Sequence, residues 1–219
     1  MPEFIAHQPY LPSRAPLEAA LDFESIMKRR RTIRAYSPEP VEPALIESLV
    51  RSATSAPSGA NKQPWRFVCI RNKALQRKIR LAAEEEEKRF YKERASEQWL
   101  KDLEPLGTDD QKPFLEEAPW LVVVFRLSKT DDGGQVYYAN ESVGLACGLF
   151  LTAAHHAGLA TLTHTPSPMG FLSQILKRPE HEKPYLLIPV GWPAEGAQVP
   201  RFATSRKPLN QVMVMEVTD

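Results

Sequence analysis

The densest concentration of chemistry-bearing side chains is Lys28-Arg29-Arg30-Arg31-Thr32-Ile33-Arg34, five cations within seven residues. Such a run can be a solvated charged surface or a chance match to a localisation signal. Two features favour a ligand instead. Thr32 and Ile33 interrupt the run, and it falls where a helical pattern ends, so Arg30, Arg31 and Arg34 cannot share one helix face. A bound phosphate needs donors converging from several directions, and arginine forks supply them. Ala56-Pro57-Ser58-Gly59-Ala60-Asn61-Lys62-Gln63-Pro64-Trp65 offers a hydroxyl at Ser58 and backbone N–H groups at Gly59 and Ala60, yet alone it reads as a connector. Thr163-His164-Thr165-Pro166 follows a strand-like run and alone reads as its cap, and Arg206-Lys207-Pro208 alone reads as a surface turn. Glu87 and Tyr91 stand at i and i+4 on a helical pattern and are therefore neighbours. By spacing alone they are a solvated face beside a core aromatic. Lys112 lies past a break at Pro105, Gly107 and Asp109-Asp110.

The elements that must position these groups can be read from periodicity. Residues 1–16 hold Pro2, Pro9, Pro12 and Pro16 and read as an extended arm. A helix is expected over Leu17 to Arg30, and another from Pro43, where Leu45, Ile46, Leu49, Val50 and Ala53 recur at helical spacing. Trp65 to Ile70 has strand character. Ala74 to Leu103 reads as one long helix containing Glu84 to Glu87, four consecutive glutamates. Leu121 to Phe125 is the clearest buried strand. Tyr137 to His156 is apolar nearly all round and ends at Gly158, which calls for burial in a core or, in so small a chain, a subunit interface. A strand over Ala160 to Thr163, a helix over Gly170 to Leu176 and a strand over Leu186 to Val190 follow. Val212 to Val217 could add an edge strand. The order of elements suggests an α+β sandwich rather than strict βαβ alternation.

Composition removes several classes. The 219 residues make room for one domain or two small ones. With 42% hydrophobic and 25% charged residues the chain can build a normal core. Lys plus Arg (28) nearly balances Asp plus Glu (27), which argues against a general nucleic-acid binder and a disordered polyelectrolyte. No apolar run approaches ~20 residues, so no membrane span is expected. The N-terminus lacks the pattern of a secretory signal, which makes a cytoplasmic enzyme the simplest expectation. Cys69 and Cys147 are too few for a disulfide framework or a zinc site, no metal is expected, and both read as buried free thiols. Neither a G-x-G-x-x-G nor a Walker loop is present.

Taken together, Arg30-Arg31-Thr32-Ile33-Arg34, Pro57-Ser58-Gly59-Ala60 with Gln63-Pro64-Trp65, the apolar helix through Asn140-Glu141 and Ala146-Cys147-Gly148, and the late Pro189-Val190-Gly191-Trp192-Pro193 and Arg206-Lys207-Pro208-Leu209 resemble the FMN-dependent nitroreductase superfamily over about residues 20 to 217. Within it the chain is most similar to the iodotyrosine deiodinase branch, in a soluble, bacterial-type form. The resemblance implies an α-β-α sandwich with a mixed, mostly antiparallel central sheet, in an intertwined, domain-swapped homodimer with FMN at the subunit interface. It implies one FMN-binding domain over 17–219, with 84–115 closing on the substrate. By matching positions, Arg30, Arg31, Thr32, Ile33, Arg34 and Arg206 hold the phosphate side of FMN, Pro57 and Ser58 lie along the flavin, and Thr163, His164 and Thr165 lie against its ring. Thr165 matches the threonine whose hydroxyl approaches flavin N5, and the Ala60 N–H would bond the substrate's phenol oxygen; these two are the catalytic assignments.

The same resemblance gives Glu87, Tyr91 and Lys112 a joint role. They match the residues that grip the amino-acid end of a halotyrosine, Glu87 taking the ammonium, Lys112 the carboxylate and Tyr91 a hydrogen bond. The implied activity is reductive dehalogenation of halotyrosines to tyrosine plus halide by one-electron flavin steps, with NADPH or a separate reductase as the electron source. Two departures stand out, His164 and Thr32, where the family's vertebrate members have a threonine and a serine. The rival readings are a broad NAD(P)H nitroreductase or quinone reductase of the same superfamily, and a non-catalytic protein that uses the basic run.

Overall fold

The computed structural model describes residues 2–216. The chain forms two compact units, one ending at Arg30 and one beginning at Arg31. In the first, residues 2–15 carry no helix or strand, and α1 (Pro16–Lys28) begins with its proline in the first turn and buries no residue. The basic run is thereby divided, with Lys28, Arg29 and Arg30 in the first unit and Arg31 to Arg34 in the second.

The second unit is built on a four-stranded sheet in the order β1-β2-β4-β3, comprising β1 (Trp65–Ile70), β2 (Trp120–Leu127), β3 (Ala160–Thr161) and β4 (Glu182–Gly191). All three pairings of these strands are antiparallel, and a single parallel bridge, Thr32 to Thr161, adds the end of the basic run beside β3. The expected mixed sheet is thus antiparallel in every named strand.

Strand β2 explains the layers. Its side chains alternate between the two faces. Trp120, Val122 and Val124 enter one hydrophobic cluster with Ile46, Leu49 and Ala53 of α2 (Pro43–Ala53) and Val143, Ala146 and Phe150 of α6 (Ala139–His156). Leu121, Val123 and Phe125 enter the other, with Ile79 and Ala83 of α3 (Lys73–Arg89), Phe114 and Leu115 of α5 (Phe114–Glu117) and Leu172 of α7 (Gly170–Ile175). A strand covered on both faces must be apolar at every position, which is why residues 121–125 form a continuous run.

The long helix expected over Ala74 to Leu103 is broken into three pieces. After α3 the backbone widens into a π turn over Phe90–Arg94, turns extended at Ala95, and restarts as α4 (Glu97–Leu103). Ser96 caps the restart by accepting from the Trp99 N–H at 3.2 Å. Arg94 curls back to donate to the Glu86 carbonyl at 2.6 Å. Neither Pro nor Gly marks this break, so periodicity passes over it.

Helix α6 buries Ser142, Val143, Ala146, Cys147, Phe150 and Ala154 and leaves Leu145 and Leu149 on an open side of the chain, 53% and 38% exposed. Two other expectations are corrected. Residues 212–216 contain no strand; a short 3-10 turn at Leu209–Gln211 precedes irregular chain, and Val217 lies outside the described residues. Cys147 is buried, but Cys69 faces outward from β1, an edge strand.

Away from the layers, Glu182 is buried at the start of β4 and held by Arg178 at 2.6 and 2.7 Å and by Arg66 at 3.1 Å. Arg66 also grips Asp131 at 2.6 and 2.8 Å. Asp131, His181 and Glu182 converge within 4.8 Å, but the two guanidinium groups occupy their oxygens.

Candidate active site

A cavity of about 300 Å³ opens in the second unit where the π turn, α4 and the segment from Thr108 to Phe114 face the chain that follows β3. Arg34, Glu87, Tyr91, Lys112, Thr163, His164 and Thr165 all line it. The helical neighbours Glu87 and Tyr91 do share a face, and the loop after Gly107 brings Lys112 to them. Gly107 adopts φ +58°, a left-handed turn that suits glycine and reverses the chain there.

Lys112 is fixed from both ends. Its backbone N–H donates to Glu84 Oε1 at 2.8 Å, and Glu84 is in turn paired with Arg80 at 2.8 Å. Its ammonium donates to the Asp109 carbonyl, stands 3.3 Å from Glu87 Oε2, and lies 5.6 Å from the centre of the Tyr91 ring. The Tyr91 hydroxyl donates to Thr108 Oγ1 at 2.9 Å, joining the π turn to the same loop. Burial raises the Glu87 carboxyl above its ordinary range, and the nearby Lys112 charge opposes that rise only in part.

His164 completes the group. Its backbone N–H and carbonyl are both bonded to Leu187 at 2.9 Å, its ring meets Phe114 edge-on with centroids 5.8 Å apart, and its Nε2 lies 3.7 Å from Glu87 Oε1. That nitrogen is buried and has no hydrogen-bond partner. Burial, with the charges of Lys112 and Arg34, pushes the imidazole down to about 3, so it is neutral.

Arg34 is partly buried at the cavity wall, and desolvation lowers its guanidinium below the ordinary value. Among the described residues no carboxylate lies within salt-bridge distance of it. A guanidinium in that condition suits an anionic group of a ligand. Ile33 is pinned by its N–H to the Thr161 carbonyl at 3.2 Å, and its own carbonyl accepts from the buried Tyr36 hydroxyl at 3.1 Å. These bonds hold Thr32 and Ile33 along β3 and send Arg34 to the cavity.

The remaining sequence-derived residues are not gathered there. Arg30 ends the first unit and donates its N–H to the Met27 carbonyl at 3.1 Å. Arg31 and Thr32 are half-buried beside β3 without lining the cavity. Arg206 is exposed and donates to the Ala203 and Ser205 carbonyls at 2.9 and 2.7 Å. Pro57, Ser58 and Ala60 lie on a separate loop. Ser58 Oγ accepts from the Gln63 N–H at 2.9 Å, and Ala60, Asn61 and Gln63 all have positive φ. Gly59 is required in this loop, because a Cβ there would come within 2.7 Å of the Tyr137 carbonyl oxygen.

Periodicity missed Phe90, Trp99, Leu103, Thr108 and Phe114, which also line the cavity. Phe90 meets Trp99 edge-on at 4.8 Å and Tyr91 at 5.2 Å. The available signal was the set of large aromatics, Phe90, Tyr91 and Trp99, in an otherwise charged segment.

Residues 27–192 match the model of the nitroreductase family. The chain is 52% identical over 203 residues to an iodotyrosine deiodinase of Haliscomenobacter hydrossis, covering 91% of this chain and 90% of that protein. It is 41% identical to the iodotyrosine deiodinase of Nematostella vectensis, over 98% of this chain and 84% of that one. Its structure is similar to a crystal structure of oxidised iodotyrosine deiodinase bound to FMN and 3-iodo-L-tyrosine, with a TM-score of 0.74, 30% identity, and coverage of 90% of this chain and 100% of that one. A Bacteroides fragilis nitroreductase with bound FMN shares the fold, with a TM-score of 0.66, 20% identity, and coverage of 89% of this chain and 99% of that one.

Proposed function

The chain belongs to the nitroreductase family, and from that premise we propose that it is a flavin-dependent enzyme that reductively dehalogenates halotyrosines. The observation that carries this reading is the pair of opposite charges, Glu87 and Lys112, nearly enclosed in one cavity with Tyr91 beside them. A free amino acid presents an ammonium and a carboxylate on one carbon. Glu87 takes the first, Lys112 the second, and the Tyr91 hydroxyl adds a bond to the same end. A reductase for flat nitroaromatics has no need of such a pair.

FMN, when bound, supplies the electrons for reductive cleavage. The residues present fit it: Arg34 offers an unpaired guanidinium, and Thr163 and Thr165 bring hydroxyls to the same wall. We assign Thr165 as the residue whose hydroxyl would approach the flavin and Ala60 as the one whose N–H would meet the phenol oxygen. The balanced reaction consumes two electrons and one proton, breaks the carbon–halogen bond with release of halide, and forms a carbon–hydrogen bond. Phe90, Trp99 and Leu103 add apolar surface to the cavity wall, which would help exclude water around a bound substrate.

The open side of α6, bearing Leu145 and Leu149, supports a homodimer in which Pro57, Ser58, Ala60 and Arg206 of one subunit serve a shared site. We further assign residues 17–219 to one FMN-binding domain, 84–115 to a segment that closes on substrate, and NADPH or a separate reductase as electron source in the cytoplasm. No helix among the described residues is long and apolar enough to cross a membrane. The purified protein is expected to be yellow and, once reduced with dithionite under anaerobic conditions, to release iodide and tyrosine from diiodotyrosine. Reduction of nitroaromatics without iodide release would overturn the reading in favour of a broad nitroreductase.

A further inference from the structure

The buried Nε2 of His164 is left without a partner in a cavity where both charged side chains of the clamp, Glu87 and Lys112, are engaged. A buried polar atom without a bond is costly, and in a native site it points to a partner that arrives. Two oxygens of Glu87 divide the neighbourhood: Oε2 faces Lys112 at 3.3 Å, while Oε1 stands 3.7 Å from His164 Nε2, just beyond hydrogen-bond reach. The imidazole cannot withdraw, because both its backbone groups are tied to Leu187 and its ring rests against Phe114. The Glu87 side chain, on its helix, can make the small movement.

We propose that His164 is a positioning residue for Glu87, donating Nε2–H to the carboxylate when a bound amino acid draws Lys112 away. The proposal rests on the reading of Glu87 and Lys112 as a zwitterion clamp. Once Lys112 turns to the substrate carboxylate, Glu87 loses its cation and would face the ammonium with one oxygen unheld. A neutral imidazole fills that place better than a second cation, since it aims the carboxylate without repelling the ammonium. With Nε2 as the donor, Nδ1 is left as the acceptor, the tautomer this contact would select. The other charged or titratable groups acting on Glu87 are Lys112, Arg94, Asp110 and Tyr91; of these only Tyr91 is a neutral donor, and its hydroxyl is committed to Thr108 Oγ1 at 2.9 Å.

The test is calorimetric binding to the oxidised, flavin-loaded protein, where no turnover occurs. Iodotyrosine is compared with its des-amino analogue, which lacks the ammonium. H164A is expected to weaken iodotyrosine about tenfold, the scale of a hydrogen bond to a charged group, and to weaken the analogue less than about twofold. H164Q, whose side-chain amide can reach the same oxygen, is expected to restore most of the loss. Equal weakening of both ligands, or H164Q no better than H164A, would overturn the proposal. A wild-type protein that binds both ligands equally would instead remove the clamp itself, and the proposal with it.

Discussion

Lys112 Nζ and Glu87 Oε2 stand 3.3 Å apart, and the two side chains keep only 7% and 12% exposure. Opposite charges so enclosed hold each other until something better satisfies both. Lys112→Ala should therefore weaken halotyrosine binding by about a hundredfold, since charge-assisted bonds to the substrate carboxylate are lost. Nitroaromatic reduction should change little. Titration of each variant with iodotyrosine, beside nitroaromatic turnover, checks both halves; a parallel loss of the two activities would contradict the clamp.

Acid should release the substrate early. Burial raises the Glu87 carboxyl above its ordinary value of 4.5, so it takes up a proton at higher pH than a solvated glutamate. Protonation removes the charge that meets the ammonium. Iodotyrosine affinity is expected to fall as pH drops, beginning above the usual carboxylate range, and the Glu87→Gln variant should show a weak, flat profile.

His164 should leave a mark on stability. Its imidazole is lowered from 6.5 to about 3 in the folded chain. As pH falls below 6.5 the unfolded chain binds that proton first, so this group's contribution to stability is lost between 6.5 and about 3, at about 1.4 kcal/mol per pH unit. Urea unfolding of wild type and H164Q at pH 6.5 and about pH 4.5 should show the wild type losing about 2 kcal/mol more.

The hydroxyl of Tyr91 and Thr108 Oγ1 form the bond, 2.9 Å long, that ties the π turn to the Lys112 loop. A double-mutant cycle with Tyr91→Phe and Thr108→Val should give a coupling energy of about 1 kcal/mol in iodotyrosine binding. Independent effects would mean that the two segments are held together by other contacts.

Gly59→Ala places a carbon 2.7 Å from the Tyr137 carbonyl oxygen and 2.9 Å from Tyr137 Cβ. The loop must shift, at a cost of about 1–3 kcal/mol. Thermal unfolding should detect the loss, and the displaced Ala60 should lower dehalogenation with it.

Legibility from sequence followed the physics of each element. Strand β1, strand β2 and helix α2 could be read closely, because each buries a regular set of apolar side chains. Glu87 and Tyr91 were legible as a pair because helical spacing makes them neighbours, but their meeting with Lys112 came from resemblance, since it depends on a long-range chain reversal. The break after Arg89 was not legible: it is made by Ser96 capping a new helix and by Arg94 reaching back to Glu86, contacts that no composition announces. The division of the basic run at Arg30 was equally hidden, because charge density says nothing about where the chain's contacts change.

Strand β2 has a consequence for how this protein can change over generations. Its odd residues serve one helical layer and its even residues the other. Substituting one apolar residue there disturbs a single layer. Inserting or deleting one residue would exchange the occupants of both layers beyond that point, because the side-chain period is two. Length variation in descendants is therefore expected to collect in the segments outside the sheet, such as the exposed turn around Asp131-Asp132-Gly133, while β2 accepts changes of residue but not of number.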